Sequence, residues 1–262
     1  MGKKQTILTF RRFRISVLLL LLATVATATF YQRTLTANWL RPLSITVYPI
    51  NGDSSAETSA YIRALKADEF SGIGTFLVGE AEAFKLMYKP IINVTSGEEI
   101  SGLPPVPPFH DGRFAIARWS LGLRHWVYQK TSSFGLDARH IRIFVIYVKS
   151  RKNRTLAHSY GLQKGLIGVV YAFADEAQRD QNKVIIAHEL LHTLGATDKY
   201  DGRGFPLYPD GYAEPDKNPL LPQEFAEIMA GRLAESEEEA RTPDSLAQCI
   251  IGAKTAREIK WL

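Results

Sequence analysis

The chain carries two histidines four residues apart with a glutamate after the first: His188-Glu189-Leu190-Leu191-His192. On a helix, residues i and i+4 lie on one face, one turn apart. His188 and His192 can then present two imidazole nitrogens to a single ion, and zinc accepts such nitrogens at about 2.0–2.1 Å. Glu189 projects beside that ion rather than onto it. There it can take a proton from water and pass it to a leaving group. The ion would lower the pKa of a water in its open position and polarise a carbonyl under attack. The string arises by chance in about one chain of this size in a hundred, so neighbouring residues must carry part of the assignment.

A catalytic zinc site takes three protein ligands and keeps a fourth position open. Gly195, three residues past His192, can adopt a left-handed conformation, end the helix and turn the chain back. Asp198 then lies within reach of the ion, and a carboxylate is an acceptable ligand. Asp201, Glu214, Glu224 and Glu227 are further carboxylates downstream. Tyr200, Tyr208 and Tyr212 are phenols that could donate a hydrogen bond to a developing oxyanion. His110, His125, His140 and His158 have no ligand-like spacing.

The segment HELLHTLGATD, residues 188 to 198, together with Glu227-Ile228-Met229-Ala230-Gly231, resembles the metzincin clan of zinc metallopeptidases. The aspartate form is similar to the smaller, snapalysin-type branch. The resemblance implies zinc ligands His188, His192 and Asp198, general base Glu189, Gly195 as the turn residue, and Met229 packed beneath the site. It also implies a strand ahead of the helix that lines the cleft and holds peptide extended. Leu166 to Phe173 is the natural candidate and Ala157 to Gly161 the alternative. In the gluzincin arrangement a glutamate from a later helix is the third ligand, and Glu224 or Glu227 would serve. The resemblance is silent on the first 140 residues.

These groups need a rigid mount. A helix from about Gln181 to Leu194 is expected, with Asp180 as its N-cap and Val184, Ile185, Ala187, Leu191 and Leu194 as its apolar surface. Leu43 to Ile50, Pro90 to Val94, Ile141 to Val148 and Leu166 to Phe173 read as strands. Ala56 to Leu65, Gly74 to Leu86 and Gly112 to Gln129 read as helices. On the last of these, Phe114, Ile116, Trp119, Leu123, Trp126 and Val127 form an aromatic and aliphatic stripe expected in the core. Ser101 to Pro108 is too rich in proline and glycine for either form. Gly195 to Gln223 shows little regular pattern, a length that fits a functional wall or lid. Pro243 to Leu262 is expected to hold one more helix. Strands and helices mix along the chain, so the expected fold is α+β, a mixed sheet packed on an active-site helix.

The 262 residues are 45% hydrophobic and 23% charged, the balance of a globular protein. The net charge of +5 equals the five basic residues Lys3, Lys4, Arg11, Arg12 and Arg14 that precede the first apolar run. The remainder is near neutral and gives no support to nucleic-acid binding. The single cysteine, Cys249, rules out an internal disulfide and a cysteine-rich metal site. It is expected to be a small buried residue.

Ile15 to Phe30 carries no charge and follows the basic residues, the pattern of an export signal or membrane anchor with a cytoplasmic N-terminus. Ala26-Thr27-Ala28 has the form of a signal-peptidase site, and cleavage after Ala28 would release a secreted protein. Retention is the preferred reading. It gives a basic stub plus transmembrane anchor or signal segment over residues 1–31, a spacer over 32–42 and an extracytoplasmic hydrolase domain over 43–262. The bacterial inner membrane, facing the periplasm, is the expected location. The expected function is a zinc-dependent peptidase acting on protein or peptide. The alternatives are a membrane-anchored, non-catalytic zinc-containing binding protein and a zinc amidase acting on a cell-wall bond.

Overall fold

The computed structural model describes residues 2–36, 39–108, 111–135, 139–150 and 156–262. The chain divides into two units, Met1–Asn38 and Trp39–Leu262. Residues 37 and 38 of the expected spacer lie outside the described residues.

The first unit is one α-helix, α1 (Gly2–Thr36). Leucine favours helix over strand, and the hydroxyls of Thr24 and Thr27 donate back to the Leu20 and Ala23 carbonyls one turn earlier. Leu18 to Leu22 are all exposed. Among the described residues no helix is long and apolar enough to cross a membrane, so the transmembrane anchor expected over residues 1–31 is not found: its uncharged run, Ile15 to Phe30, falls short of the roughly 20 apolar residues a span needs.

In the second unit the elements run β1 (Leu43–Asn51), α2 (Ala56–Ala64), α3 (Ser71–Ala83), β2 (Ile92–Ser96), α4 (Gly112–Thr131), β3 (Ile141–Val148), β4 (Tyr160–Leu162), β5 (Ile167–Phe173) and α5 (Arg179–Leu194). Four two-residue strands follow: β6 (Ala226–Glu227), β7 (Leu233–Ala234), β8 (Ala240–Arg241) and β9 (Cys249–Ile250). The last helix is α6 (Ala253–Glu258). The main sheet has the order β2-β1-β3-β5-β4. Its first four strands are parallel, and β4 runs antiparallel to β5 at the edge. The mixed sheet packed with helices is as expected, but the class is α/β rather than α+β, because four of the five strands run parallel.

β1, β3 and β5 read as near-continuous apolar runs because both faces of the sheet are covered. Ile45, Val47, Ile143, Val145, Val170 and Ala172 pack in one core with α2, α3 and α5. Their neighbours along each strand, Tyr48, Ile50, Phe144, Ile146, Ile167 and Val169, pack in a second core with Leu123 and Val127 of α4. The two-residue alternation of strand side chains assigns each residue to its face. Each fully buried aliphatic side chain here contributes on the order of 1.5–3 kcal/mol.

Several expectations shift. The α4 stripe is only partly core: Leu123 and Val127 are buried and Trp119 and Trp126 half-buried, whereas Phe114 is 94% exposed and Ile116 is exposed. The helix lies on the sheet by its C-terminal half, so apolar residues at its start face outward. α3 begins three residues earlier than expected and ends at Ala83, where Lys85 takes a positive φ of 52°. Asp180 lies inside α5 rather than capping it. Asp175 instead caps the preceding 3-10 turn, its side chain accepting from the Ala177 N–H at 3.0 Å. The C-terminal stretch is mostly turns and β9, with α6 only six residues long. Cys249 is buried and free.

Candidate metal centre

α5 is held rigidly where it matters. Val184, Ile186, Ala187, Leu190, Leu191 and Leu194 are buried against the sheet, leaving His188 and His192 on the opposite edge with side chains 12% and 16% exposed. The helix ends at Gly195, which adopts φ 108°, a region open to glycine and strained for other residues. Gly195 N–H donates to His192 O at 3.1 Å and Ala196 N–H to Leu191 O at 3.0 Å. This pair of bonds is a Schellman closure of the helix. It swings the Ala196 carbonyl back over the last turn, where it accepts from His192 Nδ1 at 2.8 Å.

A second carbonyl does the same for the other imidazole. His188 Nδ1 lies 2.9 Å from Ile228 O. A carbonyl oxygen only accepts, so both Nδ1 atoms carry protons and the neutral rings leave a lone pair on each Nε2. Those two Nε2 atoms are 3.1 Å apart. Asp198 Oδ1 completes a triangle, 3.1 Å from His188 Nε2 and 3.0 Å from His192 Nε2. Three electron pairs converging at this spacing repel one another unless a cation or a proton sits among them. A point roughly 1 Å above the triangle lies about 2.0–2.1 Å from all three atoms, the reach zinc requires. Carbonyl acceptors on the far ring nitrogens are the usual outer support of metal-binding histidines. The donor set therefore fits a divalent metal.

Glu189 stands next to this triangle. Its carboxylate and the two histidines offer ligand atoms all within 4.8 Å of one another, so a His-Glu-His trio is an alternative metal group. Asp198 is the better third ligand, because its oxygen already sits at 3.0–3.1 Å from both imidazoles. Glu189 is 5% exposed, and its Oε2 is buried with no hydrogen-bond partner. Burial pushes the Glu189 carboxyl above its usual range, against the opposing pull of His188 and His192. Glu189 thus presents a buried, unpartnered oxygen beside the triangle of candidate ligands. Burial also opposes ionisation of Asp198, yet its hydrogen bonds and charge interactions with the two histidines prevail and hold it well below the carboxylate range. Asp198 is 43% exposed, so the triangle opens to solvent on that side.

The turn at Met229 is fixed from within. Glu227 is fully buried. Its Oε2 accepts from Met229 N–H at 2.7 Å and Ala230 N–H at 3.0 Å. Its Oε1 accepts from Gly252 N–H at 3.1 Å and Thr255 Oγ1 at 2.6 Å. Burial raises the Glu227 carboxyl, and the Thr255, Gly252 and Met229 donors and the Lys199 charge oppose the rise. Glu227 thus shapes the turn that presents Ile228 O to His188, and it is no metal ligand. Met229 is itself fully buried, and its carbonyl accepts from Lys199 N–H at 2.9 Å beside Asp198. Of the other carboxylates, Glu224 pairs with Lys217 at 3.3 Å, Asp201 with Arg203 at 3.0 Å and Glu214 with Lys217 at 3.7 Å.

Tyr200 reaches the site, its ring stacked 6.4 Å from that of His188. Burial and the Asp198 charge push its hydroxyl up to about 12, so it stays protonated and able to donate. Tyr208 and Tyr212 pack edge-to-face on each other instead. The strand beside the site is β4. A Cβ placed on its Gly161 would lie 2.4 Å from Glu189 O and 2.5 Å from His192 Cβ, so only glycine lets the strand approach the helix this closely. β5, the natural candidate for a cleft strand, pairs with β3 along its length and with β4 only over Ile167–Val169, so the β4-side edge of Val170–Phe173 lies outside that ladder. The alternative, Ala157 to Gly161, overlaps the true edge strand.

The carbonyls of Ala196 and Ile228, the Glu227 clasp and the Gly161 contact have no sequence signal of their own. Comparison of the chain with protein-family models and with curated proteins gives no match.

Proposed function

We propose that the chain is a zinc-dependent peptidase with Glu189 as general base. The observation that carries this reading is the arrangement of His188, His192 and Asp198 in a triangle of 3.0–3.1 Å edges with the buried, unpartnered Glu189 carboxylate next to it. Zinc held by those three residues would supply a positive charge that acidifies water and polarises a carbonyl. Glu189 takes the proton from the attacking water and delivers it to the departing amine, and burial, which raises its carboxyl, favours taking up that proton. Tyr200, whose ring stacks on that of His188, is the donor we assign to the oxyanion. The free edge of β4 offers backbone donors and acceptors to an extended substrate, the addition of one strand to a sheet.

The metzincin-like assignment is supported by the glycine-terminated helix, the aspartate ligand position and the buried Met229 turn beside it. Location at the bacterial inner membrane, with the Trp39–Leu262 unit in the periplasm, is part of the same proposal. It rests on the basic residues ahead of Ile15 to Phe30, and secretion after cleavage near Ala28 is its alternative.

The test uses the purified full-length chain loaded with zinc and a proteome-derived peptide library. Glu189→Gln is expected to retain one zinc and lose cleavage. Equal cleavage by that variant would remove Glu189 from the chemistry. Zinc binding with no cleavage by the wild type would remove the peptidase.

A further inference from the structure

On the face of the sheet away from α5, a cavity of about 340 Å³ lies between α4 and the starts of β3 and β5. Two arginines line it, Arg124 of α4 and Arg142 of β3. Each satisfies only a fraction of its five donors: Arg124 Nη2 donates to Lys164 O at 2.9 Å, and Arg142 Nη1 to His140 O at 3.2 Å. Both Nε atoms are buried with no hydrogen-bond partner, and neither guanidinium has an ion pair among the described residues. The rest of the wall combines apolar side chains, Val127 and Ile167, with the Tyr128 ring and the Ser132 hydroxyl.

Two guanidinium groups lining one cavity, with no carboxylate paired to either among the described residues, are costly. A half-buried charge needs either a counter-ion or full hydration. Burial pushes the Arg142 pKa below the usual arginine range, with only the Tyr48 hydroxyl opposing. Gly165 leaves room for this arrangement: a Cβ there would lie 3.4 Å from Arg124 Nε. The cavity's volume falls within the range of small-molecule sites. Arginine's planar fork is suited to the paired oxygens of phosphate and carboxylate.

We propose that this cavity binds a small organic oxyanion, a phosphate or carboxylate group carried on an apolar body, with Arg124 and Arg142 holding the oxygens and Val127, Tyr128 and Ile167 the body. The site is separated from the metal triangle by the sheet itself, since Arg142 and Ile167 lie on the α4 side and α5 packs on the other. Its ligand is therefore not a group held at the metal triangle.

The experiment is calorimetric titration of the full-length protein with phenyl phosphate, benzoate and inorganic phosphate, with benzyl alcohol as the neutral control. Saturable binding of phenyl phosphate or benzoate is expected, tighter than inorganic phosphate, and none of benzyl alcohol. The preference between the first two identifies the head group. Arg142→Gln and Arg124→Gln should each weaken binding by about 10-fold or more, the worth of a charge-assisted hydrogen bond. Asp198→Ala, which removes a metal ligand, should leave it unchanged. Absence of saturable binding overturns the proposal, as does binding that survives both arginine substitutions or disappears in Asp198→Ala. Arg124 is on the helix surface, so Arg124→Gln remains informative if Arg142→Gln fails to fold by circular dichroism.

Discussion

Lys199 Nζ lies 2.7 Å from Glu258 Oε2, an ion pair between the ligand loop and the last helix in which the lysine side chain is only 5% exposed. The same carboxylate accepts from Thr197 N–H at 2.9 Å and Thr197 Oγ1 at 2.8 Å. Glu258 therefore grips the residues on either side of Asp198. Burial opposes its ionisation, and the Lys199 and Thr197 hydrogen bonds prevail, lowering its pKa. Glu258→Ala strands a buried ammonium and is expected to cost about 3 kcal/mol. Denaturant titration measures this, and a loss below about 1 kcal/mol would show that the pair is not holding the loop.

Asp198 and the downstream glutamates make opposite predictions. Asp198→Ala removes the carboxylate that touches both imidazoles and should lower zinc affinity by at least about 100-fold, more than loss of an outer-shell partner does. Glu224→Ala removes a surface group paired with Lys217 and should leave affinity unaltered. Competition with a chromophoric chelator reads both. The reverse result would move the third ligand to Glu224.

Gly161→Ala tests the contact between the edge strand and α5. The added methyl meets Glu189 O at 2.4 Å and His192 Cβ at 2.5 Å, so the strand or the helix must shift. A destabilisation of about 1–3 kcal/mol is expected, accompanied by loss of peptide cleavage. A variant as stable and active as the wild type would separate β4 from the site.

Asp53 gives a pH signature remote from the metal. It accepts from the Lys149 N–H at 2.7 Å and the Ser55 N–H at 3.1 Å, tying the end of β1 to the end of β3. Burial alone would raise its pKa, but these bonds outweigh burial and the folded value lies well below the unfolded one. A depressed carboxyl stabilises the fold above its unfolded pKa of about 3.9, and the contribution is lost as pH falls towards the folded value. Asp53→Asn should therefore cost about 1 kcal/mol at neutral pH, the solvent around this partly exposed carboxylate screening the charge. The gap from wild type should close progressively below about pH 4. A gap independent of pH would mean that the charge is not what these bonds use.

Much of the site could be read from the chain. Helical periodicity places His188 and His192 on one face whatever surrounds them, and Gly195 marks the turn because left-handed backbone suits it. Apolar runs such as Ile141 to Val148 declared buried strands. The edge strand was harder. β4 has three residues with no alternation, and its identity depends on β5 having already paired with β3. Phe114 looked like core because periodicity reports a stripe and not how far along the helix the sheet extends.

By itself, the sequence determined the local geometry: which segments coil or extend, which two imidazoles share a face, and where the helix stops. Those properties follow from backbone sterics and side-chain periodicity within a few residues. Tertiary structure alone decided that Asp198, rather than Glu224 or Glu227, meets the imidazoles, and that Ile228 O fixes the His188 tautomer. It also decided that Glu258 braces the loop at Thr197 from 61 residues away. Such contacts join segments far apart in the chain, and packing sets them through the combined placement of whole elements, for which no single stretch carries a signal.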